Sequence, residues 1–176
     1  MKIINHTQIP KKKVSRIIDF VMPKDKRIMK YFKDLTIKFI KNDDGLGLSK
    51  TSFRNDMITL VYNPDYDYPY SEAEERKDNP LSYRLQMQKT ERITGQKFVD
   101  NPQGYIDVLY LSATEALVFA AAHECFHLLQ WAQAFENEDL DRGLSDKDAD
   151  MYAIKKQREW RKLHNTPVYQ VPIPHR

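Results

Sequence analysis

Two histidines stand four residues apart in the segment His123-Glu124-Cys125-Phe126-His127, with a glutamate directly after the first. On a helix this spacing projects both imidazoles from one face. They can then reach a single ion at zinc–nitrogen distances of about 2.0 to 2.1 Å. Glu124 is offset from the pair, so its carboxylate is placed to contact a water on the ion rather than the ion itself, as a general base must. The competing reading is a pair of core histidines or a polar stripe on a long helix. Ala120, Ala121, Ala122, Leu128 and Leu129 flank the segment and indicate burial over much of the helix circumference. Two imidazoles and a carboxylate there are costly unless something satisfies them, and a metal ion would do so.

The elements that must position these residues are legible on either side. Tyr105 to Leu111 has strong β character and leads into Ser112-Ala113-Thr114-Glu115. That quartet fits a capping box, in which the Ser112 hydroxyl accepts from the Glu115 amide and the Glu115 side chain reaches back to the Ser112 amide. The helix it opens runs through Ala116 to about Phe135. A second start signal lies at Ser145, with Asp148 three residues on, and the helix beyond it carries Ala149, Met151, Tyr152, Ile154 and Trp160. Its first turns read Asp146-Lys147-Asp148-Ala149-Asp150.

Over roughly Tyr105 to Trp160 the chain resembles the zincin metallopeptidases, and among them the gluzincin-like group, in which an HExxH helix is followed by a helix bearing an acidic third ligand. The resemblance implies one zinc ion per chain held by His123, His127 and Asp146. Asp150, one turn on, would hydrogen-bond a ligand histidine from behind. It also implies a substrate cleft between a sheet edge and the motif helix. The family pattern usually has glutamate where this chain has Asp146, and the shorter side chain leaves Asp150, on the same helix face, as the alternative ligand. Asp146 also reads as a favourable charge at a helix N-terminus, and Asp148 as a capping residue. Cys125 lies on another helix face and reads as a small packed hydrophobe. Tyr152 and His164 are candidate oxyanion stabilisers without a motif behind them.

Elsewhere, Val14, Ile17, Ile18 and Val21 recur at helical spacing between Pro10 and Pro23. Residues 35–41 and Met57 to Tyr62 read as strands, with Asn42-Asp43-Asp44-Gly45 as a turn between them and a weaker strand near Ser49 to Arg54. Residues 64–104 look like a long surface excursion, and Asn165 to Arg176, with three prolines, like an extended tail that packs on the sheet or covers the cleft. The expected fold is α+β in a single domain over residues 1–176. In it a backing helix and a small, mostly antiparallel sheet pack with the HExxH helix, and a C-terminal helix completes the site. Tyr105 to Leu111 is the candidate edge strand for an extended peptide.

The 176 residues suit one domain with a proper core. A net charge of +3, from 28 basic and 25 acidic residues, leaves no large field of one sign, so nucleic acid is not indicated. The single cysteine allows no internal disulfide, and no stretch has the length and apolarity of a signal peptide or a membrane span, so the expected location is the cytoplasm. The expected function is a zinc metallopeptidase acting on a peptide or protein substrate. Zinc would bring a water's pKa to about 7 and Glu124 would accept its proton. The alternatives are a DNA- or repressor-associated module with a structural or accessory zinc site, suggested by the basic C-terminal helix, and hydrolysis of a non-peptide amide.

Overall fold

A computed structural model of the chain describes residues 1–41, 49–52, 55–65, 70–75, 105–138 and 145–164. The turn at 42–45, most of the 64–104 excursion and the tail from Asn165 lie outside the described residues. The chain begins with strand β1 (Lys2–His6), followed by helices α1 (Lys11–Val21) and α2 (Lys26–Tyr31). Strands β2 (Thr36–Lys41), β3 (Lys50–Ser52), β4 (Met57–Tyr62), β5 (Tyr70–Glu75) and β6 (Tyr105–Tyr110) precede the long helix α3 (Ala113–Glu136) and the final helix α4 (Asp146–Leu163).

The larger sheet has four strands in the order β1-β2-β4-β3. β1 is parallel to β2 and β2 to β4, while only β3 runs antiparallel, against β4. The sheet is therefore mixed, which corrects the expectation of a mostly antiparallel one. Two features account for it. Lys2–His6 forms an edge strand that its short, mixed sequence does not announce, and it reaches β2 through two helices, the connection a parallel pair requires. β3 lies between β2 and β4 in sequence and pairs on the outer side of β4, so the chain reverses twice and β4 returns parallel to β2. Asp56, with φ of 46°, sits at the second reversal and its carbonyl receives the Thr36 amide at 2.7 Å.

Alternation puts Ile37 and Phe39 of β2 and Ile58 and Leu60 of β4 on one face, fully buried and in register as Ile37 with Ile58 and Phe39 with Leu60. The same core takes Val14, Ile17, Ile18 and Val21 from α1, at i, i+3, i+4 and i+7, and Leu117, Val118, Ala121, Ala122, Cys125 and Leu128 from α3. Small residues on α3 let it approach both the sheet and α4. Among the described residues no helix is long and apolar enough to cross a membrane.

β6 forms a separate two-stranded antiparallel sheet with β5, a strand inside the expected excursion. β6 therefore lies outside the main sheet, although it remains an edge strand of its own pair, and the edge strand of the main sheet that meets α3 is β3.

Candidate metal centre

α3 starts where its local chemistry says it should. The Ser112 hydroxyl accepts the Glu115 amide at 3.2 Å. The second half of the expected capping box does not form as drawn, because the Glu115 carboxylate faces Arg161 of α4 and the Leu111 backbone instead. α4 starts in the same manner, with the Ser145 hydroxyl accepting the Asp148 amide at 3.2 Å, which frees Asp146 and Asp150 for other contacts.

The two helices run antiparallel side by side. Glu115 meets Arg161, His123 meets Asp150 and Gln130 meets Ser145, so the middle and C-terminal half of α3 lie against the first turns of α4. This places the two histidines opposite the acidic cluster. His123 Nε2 and His127 Nε2 are 3.0 Å apart, and His127 Nε2 lies 3.4 Å from Asp146 Oδ1. One ligand atom from each of His123, His127 and Asp146 falls within 4.8 Å of the others. Asp150 does not join this group but takes His123 Nδ1 at 2.8 Å. His127 is nearly closed off at 8% side-chain exposure whereas Asp146 is 78% exposed, so any ion here is held by a buried imidazole on one side and reached from solvent on the other.

Hydrogen bonding determines which ring nitrogens carry protons. An ionised Asp150 can only accept, so His123 Nδ1 donates to it. Gln130 Nε2 donates to the Ser145 carbonyl at 3.0 Å, which turns Gln130 Oε1 toward His127 Nδ1 at 2.7 Å, and that nitrogen donates as well. With both Nδ1 atoms protonated, neutral rings present two Nε2 lone pairs to each other. Two acceptors at 3.0 Å would repel each other unless a cation, a shared proton or a metal ion, lay between them. A tetrahedral zinc ion with bonds of about 2.0 to 2.1 Å separates two such nitrogens by roughly 3.3 Å. Two imidazoles and a carboxylate, with an acceptor behind each ring, are a donor set that could hold a metal ion once the carboxylate draws in toward the rings.

Burial disfavours the charged form of His123, but the hydrogen bond and charge of Asp150, with Glu124 and Asp146 nearby, outweigh it and raise the pKa above the ordinary 6.5. His123 therefore gains positive charge more readily than a free imidazole.

Glu124 is 7% exposed, and its Oε2 accepts the Thr51 hydroxyl at 2.6 Å. Thr51 also lies 3.2 Å from the Glu124 carbonyl, so the short edge strand β3 is stitched to α3 at the residue between the two histidine turns. Sequence reasoning missed both Thr51 and Gln130. Gln130 had a local signal, being three residues after His127 on the same face. Thr51, 73 residues from its partner, had none.

Two further candidates stand elsewhere. The Tyr152 hydroxyl donates to the Val21 carbonyl at 2.7 Å and its ring stacks on Phe126, so it joins α4 to α1 and its O–H is already engaged there. His164 caps α4 eighteen residues after Asp146, roughly 27 Å along the helix, and it stacks on Trp160 and bonds the Trp160 carbonyl. Neither reaches the converging atoms. Cys125 is fully buried, and burial pushes its thiol pKa up, which leaves it as packing. No protein-family model matches the chain, and comparisons with curated proteins and with solved structures find no match either.

Proposed function

We propose that the chain is a zinc-dependent hydrolase of peptide bonds. The observation that carries this reading is the 3.0 Å approach of two Nε2 atoms whose Nδ1 partners are both donating, beside a buried carboxylate that is not part of the ligand set. His123 and His127 would hold the ion through Nε2 and Asp146 through its carboxylate. Asp150 and Gln130 orient the rings from behind. The ion supplies Lewis acidity, polarising a scissile carbonyl and making a water acidic near neutral pH.

Glu124 accepts the proton of the attacking water and returns it to the leaving amine. Two local features suit it to that task. It follows His123 directly in the chain and its charge acts on that ring, and Thr51 fixes one carboxylate oxygen. β3 lies at the end of the main sheet next to α3, so an extended peptide laid along it would pass over Glu124.

Glu124→Gln tests the assignment. The amide keeps the shape and still accepts from Thr51, but cannot take the water's proton. We expect bound zinc at the wild-type level and hydrolysis of an unstructured protein mixture reduced by roughly 10²- to 10⁴-fold. Cleavage at the wild-type rate would remove Glu124 as the base.

A further inference from the structure

We propose that Gln130 is a positioning residue that sets the tautomer of His127 and registers the first turn of α4 against it, so that His127 and Asp146 present their ligand atoms together. The proposal rests on the metal-site reading above. Both ends of the Gln130 amide are used. Its Nε2 donates to the Ser145 carbonyl at 3.0 Å and its Oε1 lies 2.7 Å from His127 Nδ1. A backbone carbonyl only accepts, so the orientation of the amide follows from Ser145 alone and does not depend on any ion.

Ser145 caps α4, and its carbonyl also receives the amides of Asp148 and Ala149, both at 3.1 Å. The residue that follows it is Asp146. One half-buried side chain thus connects the ring of one candidate ligand to the backbone that carries another, across the two helices. The chemistry needed at this position is narrow. A carboxylate would accept from the ring but not donate to Ser145, a lysine would donate but not accept, and asparagine is one methylene shorter.

The two rings are also treated differently. His123 has a carboxylate behind it, whereas His127 has a neutral amide. Gln130 therefore selects the Nδ1–H form of His127 without adding negative charge, leaving Nε2 as the donor atom toward the ion.

Two measurements test this on the full chain: histidine ¹⁵N NMR of the metal-free protein at a pH where the rings are neutral, and zinc affinity by chelator competition. Gln130→Met keeps the size and removes both hydrogen bonds. Gln130→Glu keeps the acceptor and removes the donor. We expect His127 in the Nδ1–H form in the wild type and in Gln130→Glu, and a shift toward Nε2–H in Gln130→Met together with a 10- to 100-fold loss of zinc affinity. Gln130→Glu should lose less than Gln130→Met. Wild-type tautomer and affinity in Gln130→Met would overturn the proposal, as would wild-type zinc affinity in Gln130→Glu, which has lost the contact to Ser145. If Gln130→Met does not fold, loss of the Nδ1–H form in Gln130→Glu overturns it. A wild-type protein that takes up no zinc would sink the metal reading instead, and the NMR comparison would still decide whether Gln130 sets the ring.

Discussion

The two ends of the α3–α4 pair join the same helices by opposite means. At one end Glu115 and Arg161, 2% and 6% exposed, form an ion pair deep between the helices, with Gln157 also hydrogen-bonded to the Glu115 carboxylate. Burial pushes the Glu115 pKa up, and Arg161 beside it pulls the other way. At the other end His123, His127 and Asp146 bring two lone pairs and a carboxylate to one point, with acceptors already placed behind both rings. The first end contains its own counter-charge and is closed. The second gathers electron pairs toward solvent at Asp146, where a metal ion could be held. Helix-to-helix polar contacts are thus of two kinds here, one that completes the packing and one that builds a site.

The sharpest way to break this contrast is at the closed end. Glu115→Ala leaves Arg161 buried without its carboxylate and should cost about 3 to 5 kcal/mol, seen as a large drop in melting temperature. The double change Glu115→Leu with Arg161→Met should restore most of it. A single variant as stable as the wild type would show that the ion pair is not what the closed end rests on.

At the open end the expected effect comes from adding something. Zinc at 100 times its dissociation constant should stabilise the wild type by about 2.7 kcal/mol, and should do nothing comparable for His127→Ala. Elemental analysis of protein prepared without chelators should find one ion per chain. Equal stabilisation of both proteins would place the ion elsewhere.

Within the open end, Asp146→Ala removes a proposed ligand and Asp150→Ala only the acceptor behind His123, a contact worth about 10- to 100-fold in metal affinity. Chelator competition should therefore rank Asp146→Ala as the more damaging. The reverse order would make Asp150 the ligand and require α4 to shift by a turn.

The smallest effect is one of pH. The folded pKa of His123 lies above its ordinary 6.5, so in the metal-free protein the His123–Asp150 contact contributes stability that is fully present below 6.5 and is lost as pH rises through the raised value. Zinc must displace that proton, so its apparent affinity should fall with acidification through the same range. Asp150→Asn should move the midpoint down, which an NMR titration of His123 reads directly.

Much of the site is local in sequence, and that part could be read in advance. The four-residue spacing of His123 and His127 places their rings together on any α-helix, and Ser112 and Ser145 are cap residues wherever a helix begins. The i, i+3, i+4, i+7 pattern of Val14, Ile17, Ile18 and Val21 likewise determines a buried face. Each of these depends on contacts within one or two turns.

Tertiary structure decided what depends on distant partners. β4 runs parallel to β2 because β3 claims its other side, a choice made by pairing and not by the residues of β4. Glu115 turns to Arg161 rather than completing its own cap, and Tyr152 gives its hydroxyl to Val21. The division of labour between Asp146 and Asp150 is set by how far α4 is slid along α3, and Thr51 reaches Glu124 only because the sheet edge meets that helix turn. Periodicity determines which way a side chain points. Only the packing of elements far apart in sequence determines what it meets, since those contacts require the chain to close on itself first.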